Sequence, residues 1–271
     1  MDEKAVPIPL AIRQFVAGFF DGDGSVYVPP PTKLRPTQTV RVRFRQSYNS
    51  GIPPELEYVK LHYGGRIHET RKAQGHQRTS WVLDIGEQNW GTGILRDMEA
   101  HAVKKASQAA IALEYLTAGK MRTEFFSQSL KDAKKAAANV AIDVSRLTDA
   151  YVAGLFAADG SVASIPAKVS GGERYHYFTS SISQVSCPRL VDAIKDAVRF
   201  GQTYGGILQF NREETLQFFQ KIQPHLIGQK SSQVAIVAEF HPRMHPGRKR
   251  DASEIEEARE IAKKLKIMKR L

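Results

Sequence analysis

Cysteine is nearly absent from this chain: Cys187 is the single one in 271 residues. One thiol cannot close an internal disulfide, so no covalent framework is expected, and a reducing, intracellular compartment fits best. Long apolar runs are also missing. No stretch reaches the roughly 18 apolar residues of a membrane span, and MDEKAVPIPL lacks the basic opening and apolar centre of a secretion signal. The eight histidines fall in no zinc-binding spacing. Acidic residues are the scarcer charge, 28 against 39 lysines and arginines, which leaves a net charge of +11. That excess favours a polyanionic partner, nucleic acid ahead of an anionic membrane. With 42% hydrophobic residues, the chain has enough apolar surface for two cores of ordinary size.

What is present is a duplication. FVAGFFDGDGSV at 15–26 returns as YVAGLFAADGSV at 151–162, and KKASQAAIALEY at 104–115 returns as QKSSQVAIVAEF at 229–240. HYGGRI at 62–67 has a looser echo in TYGGIL at 203–208. A repeat spanning half the chain means two copies of one structural unit. We delimit them as 1–120 and 147–271, joined by a lysine- and alanine-rich linker at 121–146.

Each copy opens with an apolar helix that ends at an acid and a glycine. In the first copy the helix begins near Pro9 and stops at GDG. A strand begins at 26–28, a proline-rich loop follows, and a second strand runs over 39–46. There apolar Val40, Val42 and Phe44 alternate with Arg41, Arg43 and Arg45, giving one core face and one cationic face. A short helix at 52–65, a hairpin at 66–86 turning near Gln74–Gly75, and a helical stretch at 89–116 complete the unit. The second copy repeats the order: strands 161–169 and 174–186 around a glycine turn at 171–172, helix 188–199, hairpin 203–211, and helices 213–223 and 230–241. The tail from 251 predicts a capped amphipathic helix, with acids early and bases late as the helix dipole favours.

Gly18 and Gly22, like Gly154 and Ala158, stand four residues apart on one helix face. Small side chains there allow the two opening helices to touch, which would bring Asp23 and Asp159 together at helix ends that are already negative. Two such carboxylates repel unless a divalent cation sits between them. With the free carbonyls of Gly22 and Ala158 they form a hard oxygen set suited to Mg²⁺ rather than Zn²⁺.

VAGFFDGDG at 16–24 and VAGLFAADG at 152–160 resemble the paired motifs of the single-chain LAGLIDADG homing endonucleases. The resemblance implies an α+β fold of two pseudo-symmetric αββαββα repeats, packed through the motif helices, each with a saddle-shaped antiparallel sheet lying in the DNA major groove. It implies a monomeric, metal-dependent endonuclease for intron homing, and Asp23 and Asp159 as metal ligands. By the same resemblance Gln46 and Gln184 end the second strands, and Lys105 and Lys230 precede the closing helices, as active-site residues. One position departs: Asp21 of the first motif is Ala157 in the second. An RNA maturase and a non-cleaving DNA-binding regulator remain the alternatives.

For DNA contact the candidates are Arg41, Arg43 and Arg45 on the strand face, at about 6–7 Å spacing, and Arg66, His68, Thr70, Arg71, Gln77 and Arg78 on the hairpin. The matching strand positions of the second copy are Thr179, Ser181 and Ser183. Neutral hydroxyls against arginines predict unequal half-sites and a non-palindromic target.

Overall fold

Leu10–Asp23 forms helix α1, entered directly from Pro9 and ended where Gly24 turns extended. The computed structural model describes residues 7–29, 33, 39–74, 77–86, 91–119, 122–168, 174–240 and 251–269. Four strands follow in the first copy, β1 (Gly24–Tyr27), β2 (Arg41–Ser47), β3 (Arg66–Arg71) and β4 (Ser80–Gly86). Helix α2 (Pro54–Tyr63) lies between β2 and β3, and α3 (Gly91–His101) and α4 (Ala106–Thr117) follow β4. Helix α5 (Thr123–Ala136) and two 3-10 turns, Ala137–Asn139 and Val144–Arg146, lead to the second copy. That copy comprises α6 (Asp149–Asp159), β5 (Gly160–Lys168), β6 (Arg174–Ser183), α7 (Pro188–Val198), β7 (Gln202–Tyr204), β8 (Ile207–Phe210), α8 (Arg212–Ile222) and α9 (Gln229–Phe240). Helix α10 (Ala252–Met268) closes the chain. No described helix is long and apolar enough to cross a membrane.

The two sheets share one topology, β1-β2-β4-β3 and β5-β6-β8-β7, antiparallel throughout. Gly24 pairs with Phe44 and Gly160 with Ile182, so β2 and β6 correspond residue for residue across the duplication. The alternation in β2 becomes a physical division: Val42 and Phe44 are fully buried while Arg45 is exposed. Phe44 stacks on Phe19 of α1 and meets Phe20 edge-on. Each such buried side chain contributes about 1.5–3 kcal/mol relative to exposure. In the second copy Phe156 of α6 packs edge-on against Phe218 and Phe219 of α8.

The helical stretch expected at 89–116 is divided into two helices. Residues 102–105 break it, because the buried Asp21 carboxylate accepts the backbone N–H groups of Val103, Lys104 and Lys105. Those donors are lost to an i→i−4 ladder. The turn at Gly75, most of the proline-rich loop, the glycine turn at 171–172 and the first six residues lie outside the described residues. Gln74 and Gln77 form a bridge on either side of Gly75. Helix α10 has the expected amphipathic form. Asp251 and Glu254 make a reciprocal capping box at its start, and Ile255, Ala258, Ile261 and Leu265 are buried.

Candidate active site at the ends of the motif helices

Helices α1 and α6 pack against each other along their length. A Cβ on Gly18 would overlap the Tyr151 carbonyl, and one on Gly154 would overlap the Phe15 carbonyl. A Cβ on Gly22 would meet Ala158 and the Asp159 carboxylate. The backbones therefore touch where the sequence places its small residues, and both helices end together. Asp23 and Asp159 are the last residues of α1 and α6.

The environment of these acids opposes their ionisation. Burial, then repulsion by Asp159, raises the Asp23 pKa from 3.8 to about 6, against the pull of Lys230, the Gln46 hydrogen bond and Lys105. Burial also raises Asp159, opposed by Lys104, Lys230, Lys105 and Gln184. Two carboxylates at the joined, negative helix ends repel, and the neighbouring lysines offset that repulsion in part.

Gln46 donates its amide N–H to Asp23 at 3.3 Å, and Gln184 donates to Asp159 in the matching position. Strand alternation puts Gln46 on the core side with Phe44, and β2 does not stop before it but runs on to Ser47. What frees the side chain is the end of α1, beyond which that face of the sheet opens onto the acids.

Lys105 and Lys230 also converge here, and their ammonium groups cap the motif helices. Lys105 Nζ donates to the carbonyls of Phe20, Gly22 and Gly24 at 2.8, 3.1 and 2.7 Å. Lys230 Nζ donates to Phe156 and Ala158 at 2.9 and 3.0 Å. Cations at helix C-termini are favoured by the dipole, yet burial lowers both lysines to about 8. Two further participants were not among the site residues expected from the sequence. Lys104, only 7% exposed, donates to the Gln184 amide oxygen at 2.6 Å from across the duplication. Asp21 binds the 103–105 backbone and the Tyr151 hydroxyl, the latter at 2.7 Å. The doubled lysine at 104–105 was the available hint for Lys104, but nothing local separated its role from that of its neighbour.

A small cavity of about 380 Å³ opens on Asp23, Gln46, Ala158 and Lys230. It draws its acid and amide from the first copy and its lysine and carbonyl from the second. The donor set fits a hard divalent cation: carboxylate oxygens beside helix-end carbonyls. The Gly22 and Ala158 carbonyls each accept a lysine ammonium and retain a second lone pair. No group of three or more histidine, cysteine, aspartate or glutamate side chains is placed to hold a metal ion among the described residues; the candidate ligands are the Asp23 and Asp159 carboxylates and the helix-end carbonyls.

No protein-family model matches this chain, and no curated protein sequence matches it. Solved structures do. I-SmaMI bound to an uncleaved DNA target with calcium ions aligns at a TM-score of 0.70 and 16% identity, covering 93% of this chain and 97% of that one. The LAGLIDADG meganuclease I-AabMI bound to uncleaved DNA aligns at 0.65 and 17% identity over 95% and 97%. The LAGLIDADG homing endonuclease I-GzeII with its DNA target aligns at 0.63 and 14% identity over 93% and 97%. The fold is that of the single-chain LAGLIDADG homing endonucleases.

In this LAGLIDADG fold the exposed faces of the two sheets differ as the sequence predicts, with corrections. Arg41, Arg43 and Arg45 share one face with Arg66 and His68, since Arg43 and Arg66 both pair with Asp84 and Arg45 and His68 both pair with Val82. Asp84, however, accepts from Arg41 Nη1 at 3.1 Å and from Arg43 Nε and Nη2 at 3.0 and 2.9 Å, and Arg43 also lies over the Tyr27 ring. Only Arg45 of the three has no ion pair among the described residues. Arg78 leaves the hairpin group and lines the small cavity beside Asp23. Thr70 donates to the Ser80 carbonyl, and Arg71 and Gln77 are exposed. In the second copy Thr179 is only 6% exposed, which removes it from the reading surface. Ser181 is half-buried and Ser183 exposed.

Proposed function

We propose that this chain is a site-specific DNA endonuclease that makes a double-strand break in a long, non-palindromic duplex by Mg²⁺-dependent phosphodiester hydrolysis, acts as a monomer and serves intron homing. One observation carries the reading: two carboxylates at the joined ends of closely packed helices, each with a glutamine and a half-buried lysine, between two sheets of the same topology. The structural neighbours, which include I-SmaMI on cleaved DNA, support it through a shared fold.

Asp23 and Asp159, with the Gly22 and Ala158 carbonyls, would hold the cation. When bound, Mg²⁺ supplies Lewis-acid stabilisation of the charge on the scissile phosphate. Gln46 and Gln184 orient the acids and present amide groups to water or a phosphate oxygen. Lys105 and Lys230 place preorganised positive charge where negative charge develops as water attacks in line. The exposed sheet faces contact the duplex, with arginines on one half-site and hydroxyls on the other. Incubation of the protein with an intronless insertion-site duplex and Mg²⁺ should yield double-strand products. No cleavage, together with binding or splicing of intron RNA, would replace this reading with the maturase one.

A further inference from the structure

The lysines at the heads of α4 and α9 are both held by a buried carboxylate, but the two carboxylates come from different places. In the first copy it is Asp21, whose oxygens take the N–H groups of Val103, Lys104 and Lys105 at 2.7, 2.9 and 2.8 Å. That contact fixes the backbone from which Lys105 reaches back to α1. In the second copy the corresponding residue is Ala157, whose methyl side chain has no oxygen to offer. Glu55 fills the role from the opposite copy. It is 4% exposed, sits in the first turn of α2, and accepts the Gln229 N–H at 3.1 Å. Gly228 adopts φ +78°, and a Cβ there would overlap the Glu55 carboxylate. The next residue is Lys230.

The exchange is legible position by position. Helices α2 and α7 begin at Pro54 and Pro188, and the residue after each is Glu55 in one and Arg189 in the other. Half one carries both carboxylates and half two carries neither. Glu55 lies at the N-terminal ends of two helices, its own α2 and α9, whose dipoles both favour a negative charge. Burial raises its pKa, opposed by its own and the Gln229 backbone N–H and by Lys230. The same carboxylate lines the small cavity with Asp23 and Lys230.

We infer that Glu55 stands in for the acid missing from the second motif and is a positioning residue for Lys230. It holds the head of α9 so that the Lys230 ammonium meets the end of α6, and its loss acts on one of the two cleavage sites. The inference rests on the nuclease reading for its kinetic consequence and on geometry alone for the contact itself.

The test is single-turnover cleavage with each DNA strand labelled separately, alongside DNA affinity in Ca²⁺, for Glu55→Ala and the isosteric Glu55→Gln. Losing a supporting group of this kind slows the dependent step by about 10-fold or more. Glu55→Ala should do so for the same strand that Lys230→Ala slows, leaving the other strand and the affinity within about 2-fold, as expected for a site-local effect. Glu55→Gln, which keeps an acceptor oxygen and loses the charge, should fall between. Equal slowing of both strands, or a loss confined to affinity, would overturn the assignment. Residue-resolved amide exchange supplies a readout independent of cleavage. The Gln229 amide should exchange faster in Glu55→Ala while the Lys105 amide does not, and unchanged Gln229 exchange would also overturn it. If the wild type cuts no DNA, the nuclease reading fails and amide exchange still decides the Glu55 contact.

Discussion

The Lys104 ammonium of the first repeat lies 2.6 Å from the Gln184 amide oxygen of the second, and Gln184 in turn donates to Asp159. Position 229, the counterpart of Lys104, is a glutamine whose amide donates to the Met268 carbonyl of α10. The two sites are therefore unequal beyond the Asp21 and Ala157 difference. Lys104→Met should slow the strand served by Asp159 by about 10-fold while sparing the other, since it removes the partner that orients Gln184. Strand-resolved cleavage rates check this, and equal slowing of both strands would make Lys104 a general phosphate anchor.

Asp23→Asn and Asp159→Asn should each abolish double-strand cleavage while DNA affinity in Ca²⁺ stays close to that of the wild type. Gel-shift titration beside plasmid cleavage separates the two effects. Full cleavage by either variant removes that acid from the catalytic assignment.

The Asp23 shift gives a pH dependence with a defined sign. Below 3.8 the carboxyl is protonated in both folded and unfolded chains. Between 3.8 and about 6 the folded protein retains a proton that the unfolded chain has released, so stability falls as pH rises through this window. Asp23→Asn cannot lose that proton, and its melting temperature should decline less between pH 4 and 7. Adding Mg²⁺ at pH 7.5 should raise the wild-type melting temperature and do less for the variant. Parallel melting curves for the two proteins across pH would show that Asp23 does not titrate this way.

The helix contact should tolerate no added carbon. Overpacking costs about 1–3 kcal/mol, sometimes more, and here even an alanine Cβ at Gly18 or Gly154 would overlap backbone. Gly18→Ala and Gly154→Ala should both lower the melting temperature and activity, with leucine worse. Wild-type stability in the alanine variants would show that the helices can part without cost.

Among the arginines, Arg45 should matter most to DNA. Arg41 and Arg43 are tied to Asp84, at exposures where an ion pair contributes about 0–1 kcal/mol, so DNA can compete for them only by breaking that pairing. Replacing a base-reading arginine costs about 1–3 kcal/mol and relaxes preference at a few positions, whereas a phosphate contact weakens all sequences and lowers the salt slope by about one. Binding of Arg41→Ala, Arg43→Ala and Arg45→Ala to singly randomised targets distinguishes the cases. If none of the three alters base preference, this face holds the backbone only.

The sequence by itself determined the duplication, the order of helices and strands, the buried and cationic faces of β2, and the two motif acids. These are local or periodic properties: alternation places residues on a sheet face, and small residues four apart mark a helix contact. Tertiary structure decided what no period encodes. Asp21 divides the helical stretch at 89–116, because its N–H donors lie 82–84 residues away. Asp84 claims two of the arginines from 41 and 43 positions along the chain. Lys104 reaches Gln184 across 80 residues, and Glu55 reaches Gln229 across 174. A buried polar group must find a partner wherever the fold places one, so these pairings exist only once both repeats have been brought together through α1 and α6.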